Sequence, residues 1–208
     1  MLLWYASYGS NLCRDRFLTY LHGGRAVGAA RGHAGARDRS LPLGDQPLHL
    51  PGGLHFGGTS TTWGGGGVAF YDPSVPGEVL ARAYLVTEEQ FADVAAQEMR
   101  RQPGADSHEG AAVAAALSQG RHVGGPGNYE TVHRVGEIDG DPVVTFTADV
   151  PSRIPTNPPV AAYLQVIARG LRTGHGLGPV EVTDYLMRSP AVGEHWERAD
   201  VHRLAVAA

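Results

Sequence analysis

The sequence predicts a single α+β domain over residues 1–208, and three observations carry this prediction. The chain has 208 residues, of which 42% are hydrophobic, and this is enough to bury one core. Apolar, aromatic and β-branched runs that favour strands recur along it. Amphipathic stretches with a period near 3.6 residues, typical of helices, lie between these runs.

The first predicted strand and helix are joined by a glycine turn. Residues 2–8 are largely apolar and aromatic, as in a half-buried strand. Gly9 permits a sharp turn, and Asn11 is the predicted N-cap of the helix that follows. Gly23 stands where that helix should end. Its apolar face comprises Cys13, Phe17, Tyr20 and Leu21.

A turn of this kind directs several backbone N–H groups towards one point at the positive end of a helix dipole. It can therefore form a small anion site made of backbone. Many such turns only reverse the chain, and a lone Gly-Ser-Asn favours that plainer interpretation. A second segment, further along the chain, strengthens the functional interpretation.

That second segment is a strand over residues 79–87 followed by a capped helix. Residues 87–90 have the Ser/Thr-x-x-Glu/Gln form of a capping box. The helix then places Glu98 in the middle of its apolar face, at i+7 from the first apolar residue. The apolar residues of that face are Phe91, Val94 and Ala95. Three polar residues are expected to point into solvent: Asp93, Gln97 and Arg100.

A carboxylate among apolar groups has two explanations. Burial raises the pKa of a carboxyl group, and a base with a pKa nearer neutrality suits proton transfer. Alternatively, Glu98 forms a structural ion pair with Arg100, Arg101 or a more distant arginine. The helix by itself leaves both explanations open.

Together these segments resemble the gamma-glutamylcyclotransferase family. The resemblance keeps the family's order and covers about two thirds of the chain. Its strongest part is Tyr-Gly-Ser-Asn-Leu near the N-terminus combined with the glutamate after the later strand and helix. The matching residues are 8–12, 61–66 with 68–69, 76–79 with the strand to Val86, the helix ending in Glu98, and, more weakly, 157–159, Tyr163, Gly170, 176–177 and 185–186.

The resemblance implies a small mixed β-barrel with flanking helices. It implies that backbone N–H groups of the turn bind a gamma-glutamyl group and that Glu98 is the general acid/base. Tyr129 is the counterpart of a tyrosine that opens the family's next strand, and it follows an insertion at about 102–127. A helical segment begins at about 158. The turn residues are Tyr8, Gly9, Ser10, Asn11 and Leu12.

The implied reaction is intramolecular. The substrate's α-amine attacks its own gamma-amide carbonyl, which releases 5-oxoproline and a free amine or amino acid. Neither a metal nor an organic cofactor is needed. The substrate is a small gamma-glutamyl compound, and its leaving part stays open: an amino acid, a glutathione-like peptide, or a small amine or biosynthetic intermediate.

Bulk properties exclude several other classes. A net charge of −4 and the absence of a Lys/Arg stripe argue against nucleic-acid binding. One cysteine excludes an internal disulfide and suits a reducing compartment. The first residues lack the pattern of a signal peptide or anchor, and no apolar run is long enough to span a membrane, so a cytoplasmic location is expected. A homodimer is one arrangement that the sequence leaves open.

Several residue types have plainer interpretations than a site. The ten histidines show no metal-binding spacing and are predicted to be scattered over the surface. Cys13 is predicted to be a buried, inert thiol. Tyr163 is a core or interface residue or a wall of the pocket, and Trp63 either lines the site or closes one end of the barrel. Two rival functions remain: a non-catalytic binding module of the same fold, and an amidohydrolase or acyl transferase that uses Glu98.

The other predicted elements follow from local patterns. They are short strands over 25–37, 49–56 and 68–71, a helix over 110–118 in the insertion, a hairpin of 129–137 with 143–150, helices over 159–173 and 180–188, and an unassigned terminal segment from Pro190.

Overall fold

The computed structural model describes residues 1–104 and 107–208, and it confirms the α+β class. The strands are β1 Leu2–Ser7, β2 Gly44–Pro51, β3 Gly53–Gly57, β4 Val68–Asp72, β5 Glu78–Thr87, β6 Arg121–Val123, β7 Thr131–Ile138 and β8 Asp141–Thr147. The helices are α1 Arg14–His22, α2 Glu88–Glu98, α3 His108–Gln119, α4 Ala161–His175, α5 Pro179–Met187, α6 Pro190–Gly193 and α7 Arg198–Val206. Two short 3-10 turns, Ser10–Leu12 and Pro151–Arg153, complete the structure.

Six strands form one mixed sheet in the order β2-β5-β1-β8-β7-β6. The central pair β1–β8 is parallel and the other neighbours are antiparallel. Strands β3 and β4 form a separate pair. Within the described ranges the ladders leave β2 and β6 as the edges of the larger sheet.

Both faces of this sheet are covered, and the alternation along β1 shows how. Leu3 and Tyr5 face a core shared with α1, α2 and α3. Trp4 and Ala6 face a second core shared with α4, α5 and α7. Successive side chains of a strand point to opposite faces, so one short strand serves both cores. No helix in the described part of the chain is both long and apolar enough to cross a bilayer.

The register of β1 and β5 explains how the two sequence motifs meet. Because the strands are antiparallel, the start of β1 pairs with the end of β5, as Leu2 does with Thr87. Helix α2 therefore begins at the far end of β1 from the glycine turn. Its 11 residues span about 16 Å, close to the length of a short strand. The helix returns along the sheet and brings Glu98 back to the turn.

Several local predictions are confirmed. Thr87 and Gln90 form the capping box of α2. Helix α1 ends before Gly23, whose φ is 80°. Residues Asp139 and Gly140 connect β7 to β8 with positive φ at both positions, as a tight hairpin requires. The unassigned terminal segment forms α6 and α7.

The predicted strand over 25–37 is wrong. Among the described residues this segment contains one isolated bridge, between Gly24 and His33, and otherwise forms a loop. Glycines that adopt positive φ, including Gly28 and Gly35, interrupt the extended backbone that a ladder needs. The predicted strand over 49–56 falls across the end of β2 and most of β3.

The prediction that Asp93 and Gln97 point into solvent is also wrong. Asp93 is fully buried and accepts hydrogen bonds from the backbone and side chain of Arg37. Gln97 donates to the Tyr20 carbonyl and accepts from the Gly35 N–H. The loop that replaces the predicted strand covers this side of α2, and apolar periodicity contains no information on such polar partners.

Candidate active site

A cavity of about 400 Å³ lies where the glycine turn, the end of α2 and the chain before β7 meet. Six of the seven candidate site residues line it: Tyr8, Gly9, Ser10, Asn11, Glu98 and Tyr129. The wall candidates Trp63 and Tyr163 line it as well. Leu12 does not; it is fully buried in the core behind the turn.

The first backbone N–H groups of the turn make no hydrogen bond within the turn itself. The Leu12 N–H donates to the Gly9 carbonyl at 3.0 Å, and the Cys13 N–H donates to the Ser10 carbonyl at 3.1 Å. The expectation that Leu12 offers its N–H to a ligand is therefore corrected, since that group is already used. The N–H groups of Gly9, Ser10 and Asn11 precede these bonds, as the first donors of any helical turn do.

The predicted capping role of Asn11 is wrong. Cys13 is the N-cap of α1 and makes no side-chain capping bond. The Asn11 side chain instead donates to Oε1 of Glu98 at 3.2 Å and to the Tyr5 hydroxyl at 3.3 Å. A short amide beside a turn suits either role, and only the arrival of α2 determines which one it takes.

Tyr84 of β5 holds the turn against the sheet, and Tyr163 of α4 lies next to the turn while bonded to β4. The Tyr84 hydroxyl donates to the Asn11 carbonyl at 2.8 Å. The Tyr163 hydroxyl accepts from the Ala69 N–H at 3.1 Å. Gly9 lies so close to this hydroxyl that an added Cβ would approach it to 3.1 Å. Gly9 has φ −111°, so this close approach, rather than a left-handed backbone, is what favours glycine here.

Glu98 is half-buried and its carboxylate is held on one side. Oε1 accepts from the Tyr20 hydroxyl at 2.5 Å as well as from Asn11. Burial raises the pKa of Glu98 above its ordinary value, although the positive charge of Arg16 and the two hydrogen bonds oppose the shift. A carboxyl group with a raised pKa can accept and return a proton near neutral pH.

The two arginines that follow α2 do not form the ion pair that would explain Glu98 as a structural residue. Arg100 donates to the Thr61 hydroxyl at 2.8 Å. Arg101 forms ion pairs with Glu109 and Glu130. No ion pair of Glu98 occurs among the described residues, although the charge of the more distant Arg16 acts on it.

Sequence reasoning missed three residues beside Glu98: Arg16, Tyr20 and His33. Arg16 is 3% exposed; its Nη2 donates to the Tyr20 hydroxyl at 3.0 Å, and its Nη1 lies 2.6 Å from Nε2 of His33. Arginine only donates, so this His33 nitrogen accepts and the ring is neutral. Burial, followed by the Arg16 charge, lowers the pKa of His33 to about 3. The i, i+4 spacing of Arg16 and Tyr20 was the available sequence signal.

The other tyrosines of the cavity use their hydroxyl groups on the backbone. Tyr129 donates to the Ala69 carbonyl at 3.0 Å, and Tyr8 donates to the Phe146 carbonyl at 2.7 Å. Their rings therefore act as fixed walls. Burial raises the pKa of both tyrosines well above the ordinary value, so both keep their protons.

In the described part of the chain, histidine, cysteine and carboxylate side chains nowhere gather in groups of three that could hold a metal ion. Cys13 is buried and free, and it lies outside the lining of the cavity. The cavity lining provides two carboxylates, Glu98 and Glu130, two arginines, Arg16 and Arg100, and the backbone of the glycine turn.

Comparison with known proteins finds similarity both by sequence and by structure. No family model matches the chain. Histone deacetylase 5 of Arabidopsis thaliana is 33% identical over 198 residues, which are 88% of this chain and 30% of the plant protein. The chain thus spans less than a third of the length of that relative.

Among solved structures, a gamma-glutamyl cyclotransferase superposes with a TM-score of 0.54 at 18% identity, over 98% of this chain and 99% of the other. An uncharacterised human protein superposes with a TM-score of 0.47 at 19% identity, over 83% and 80% of the two chains.

Proposed function

We propose that this chain, which has the gamma-glutamylcyclotransferase fold, is a cyclotransferase that releases 5-oxoproline from a small gamma-glutamyl compound. The observation that carries the proposal is the position of Glu98. A carboxyl group with a raised pKa lies in the main cavity, hydrogen-bonded to the side chain of Asn11 in the glycine turn. An acid/base group and an oxyanion-binding turn are the two parts that the reaction needs.

In the proposed mechanism the substrate supplies its own nucleophile. Its α-amine is mostly protonated near neutral pH and must lose a proton before it attacks. Glu98 accepts that proton. The amine nitrogen then bonds to the carbonyl carbon of the gamma-amide, and the bond from that carbon to the leaving nitrogen breaks as Glu98 returns the proton to the leaving nitrogen. The new ring nitrogen gives up its remaining extra proton to solvent and becomes the amide N–H of 5-oxoproline. One ring forms, one amine departs and Glu98 is regenerated.

The backbone N–H groups of Gly9, Ser10 and Asn11 are the proposed partners of the substrate's carboxylate or developing oxyanion. The rings of Tyr8 and Tyr129 are the proposed walls that keep the glutamyl chain curled. Holding a flexible chain in the ring-closing geometry contributes several kcal/mol to lowering a barrier, on the order of 7 to 11 in the best intramolecular cases.

Three other functions would give a different outcome when the protein is mixed with such compounds. A binding module of this fold would bind gamma-glutamyl compounds without turnover. An amidohydrolase or acyl transferase using Glu98 would produce free glutamate or a new amide. The plant relative is named a deacetylase, and such an activity would release acetate from an acetyl-lysine peptide.

One product assay separates these possibilities. The protein is incubated with gamma-glutamyl dipeptides, gamma-glutamyl amines, glutathione and an acetyl-lysine peptide, and the products are identified by mass spectrometry. The matched variants are Glu98→Gln and Glu89→Gln, which make the same change at the two ends of α2. Glu89 is exposed and forms one ion pair, to Arg37.

We expect wild type and Glu89→Gln to release 5-oxoproline, and Glu98→Gln to lose at least 100-fold in rate, about the contribution of a general acid/base. Circular dichroism spectra that coincide would show that all three are folded. Full activity of folded Glu98→Gln would contradict the role of Glu98. Free glutamate or acetate as the product would overturn the cyclotransferase proposal, and binding of the panel without turnover would favour the binding module.

A further inference from the structure

We propose that Tyr20, anchored by Arg16, is a positioning residue that holds Oε1 of Glu98, so that Oε2 is the oxygen that exchanges a proton with the substrate. This inference rests on the proposed function and deepens it. It concerns a tyrosine that the helical pattern assigns to the apolar face of α1, where it would only contribute to packing.

The direction of each hydrogen bond follows from the chemistry of the donors. A guanidinium group only donates, so Arg16 donates to the Tyr20 oxygen at 3.0 Å. Tyr20 has one hydroxyl proton and directs it to Oε1 of Glu98 at 2.5 Å. The bond from Arg16 thus fixes the rotation of the hydroxyl and points its proton at the carboxylate.

Arg16 is itself held from several sides, so the series of bonds is rigid. Its Nη1 contacts Nε2 of His33 at 2.6 Å and the Thr19 hydroxyl at 3.1 Å. Its guanidinium carbon lies 4.7 Å from the centre of the Tyr20 ring and 5.6 Å from that of Trp63. A buried arginine with these contacts can keep one geometry through a catalytic cycle.

The two oxygens of Glu98 are consequently not equivalent. Oε1 accepts from both Tyr20 and Asn11. None of the hydrogen bonds between described residues uses Oε2, although Glu98 lines the cavity. The lone pairs of Oε2 are therefore the ones left for the substrate's amine.

The titratable groups that surround Glu98 come from five parts of the structure. They are Tyr5 of β1, Arg16 and Tyr20 of α1, Tyr129 before β7 and Tyr163 of α4, with His33 of the loop behind Arg16. Burial raises the pKa of each of these tyrosines, so they are neutral, and Arg16 is the one cation among the facing groups named here. Loss of the Tyr20 hydrogen bond, or of the Arg16 charge, should therefore raise the pKa of Glu98.

The deciding variant is Tyr20→Phe, which removes only the hydroxyl. We expect kcat to fall on the order of tenfold, a fraction of the whole acid/base contribution. We expect KM to change less than twofold, and the acidic limb of kcat/KM to move to higher pH. The control is Tyr185→Phe, which removes a buried hydroxyl that accepts from the Leu80 N–H, outside the cavity lining. Its pH profile should match that of wild type.

A readout without turnover keeps this inference separate from the proposed function. The ¹³C resonance of the Glu98 carboxyl group, assigned by its absence in Glu98→Gln, is titrated in wild type and Tyr20→Phe. If wild type releases no 5-oxoproline, the proposed function fails, and this titration still tests whether Tyr20 controls Glu98. A higher pKa of Glu98 in Tyr20→Phe supports the control by Tyr20. An unchanged or lower pKa in the folded variant overturns it.

Arg16 provides the second comparison. Arg16→Met removes the charge and the donor, and Arg16→Lys keeps the charge without the planar fork. We expect Arg16→Lys to restore part of the activity lost in Arg16→Met and to lower the pKa of Glu98 relative to it. Equal effects of the two folded variants would show that Arg16 does not act through its charge and donor. If neither variant folds, the Tyr20→Phe titration decides alone.

Discussion

Gly170 of α4 lies directly against the backbone of Leu12 at the end of the glycine turn. A Cβ added to Gly170 would lie 2.5 Å from the Cys13 nitrogen, and closer still to Leu12. Only a residue without a side chain allows α4 to approach the turn this closely. The C-terminal helical segment is therefore part of what fixes the position of the candidate site.

We expect Gly170→Ala to lower the free energy of unfolding by about 1–3 kcal/mol, because the added methyl group overlaps backbone that cannot move aside. Urea denaturation measures the change. The control is Gly110→Ala in α3, where the new Cβ would lie 3.6 Å from the Ser107 hydroxyl. That variant should be stabilised by about 0.5–1 kcal/mol. Equal stability of Gly170→Ala and wild type would contradict the close packing of α4 on the turn.

The buried carboxylate of Asp93 should be a major contributor to stability. It accepts from the Arg37 backbone at 2.8 Å and from the Arg37 side chain at 2.9 to 3.1 Å. Asp93→Asn removes the charge that these donors need, and we expect a loss of about 3 kcal/mol in urea denaturation. Glu89→Gln removes the other carboxylate near Arg37, at 3.4 Å on the surface, and should cost less than about 1 kcal/mol. If both variants lost a similar free energy of unfolding, this would contradict the burial of Asp93 and the exposure of Glu89.

His33 should make the protein sensitive to acid. Its pKa is lowered to about 3 in the folded state and is near 6.5 in an unfolded chain. The unfolded state therefore binds a proton first as the pH falls. The free energy of unfolding is therefore unaffected by the titration of His33 above about pH 6.5 and falls progressively between about pH 6.5 and pH 3. His133, whose pKa is lowered to about 4, acts in the same direction.

The variant His33→Gln keeps an acceptor for Arg16 but cannot titrate. We expect its free energy of unfolding to fall less between pH 7 and pH 4.5 than that of wild type, measured by urea denaturation at each pH. His195→Gln, at an exposed histidine, should keep the wild-type dependence. An identical pH dependence of His33→Gln and wild type would show that His33 is not buried in its neutral form.

Gly9→Val should damage ligand binding more than folding. The new side chain would press on the Tyr163 hydroxyl, 3.1 Å from the position of a Cβ, and shift the N–H groups of the turn. We expect KM for the best gamma-glutamyl substrate to rise on the order of 10- to 100-fold. Gly136→Ala, which adds a Cβ in open space on β7, is the control. A normal KM in Gly9→Val would argue against the turn as a binding site.

Local sequence patterns predicted the elements that carry the site. The capping box at Thr87, the apolar face of α2 with Glu98 on it, the glycine turn after β1 and the tight hairpin at Asp139 all follow from interactions within a few residues. Such interactions are fixed by propensity and periodicity, and these patterns can be recognised in one sequence.

The same patterns failed where a polar side chain finds a distant partner. Asn11 was expected to cap a helix and instead donates to Glu98, and Asp93 was expected in solvent and instead binds Arg37. In each case periodicity identified the helix or turn correctly. The hydrogen-bond partner of each polar group comes from a different part of the chain. The periodicity of one helix does not contain information about that partner.

The sequence by itself determined that Glu98 lies on the apolar face of a helix and that a glycine turn follows β1. Only the tertiary structure decided that these two features share one cavity, because the antiparallel pairing of β1 with β5 sends α2 back towards the turn. It also decided that Tyr20, 78 positions before Glu98 in the chain, donates to its carboxylate. A pKa depends on the charges and donors that surround a group in space, so the chemistry of Glu98 is a property of the folded chain.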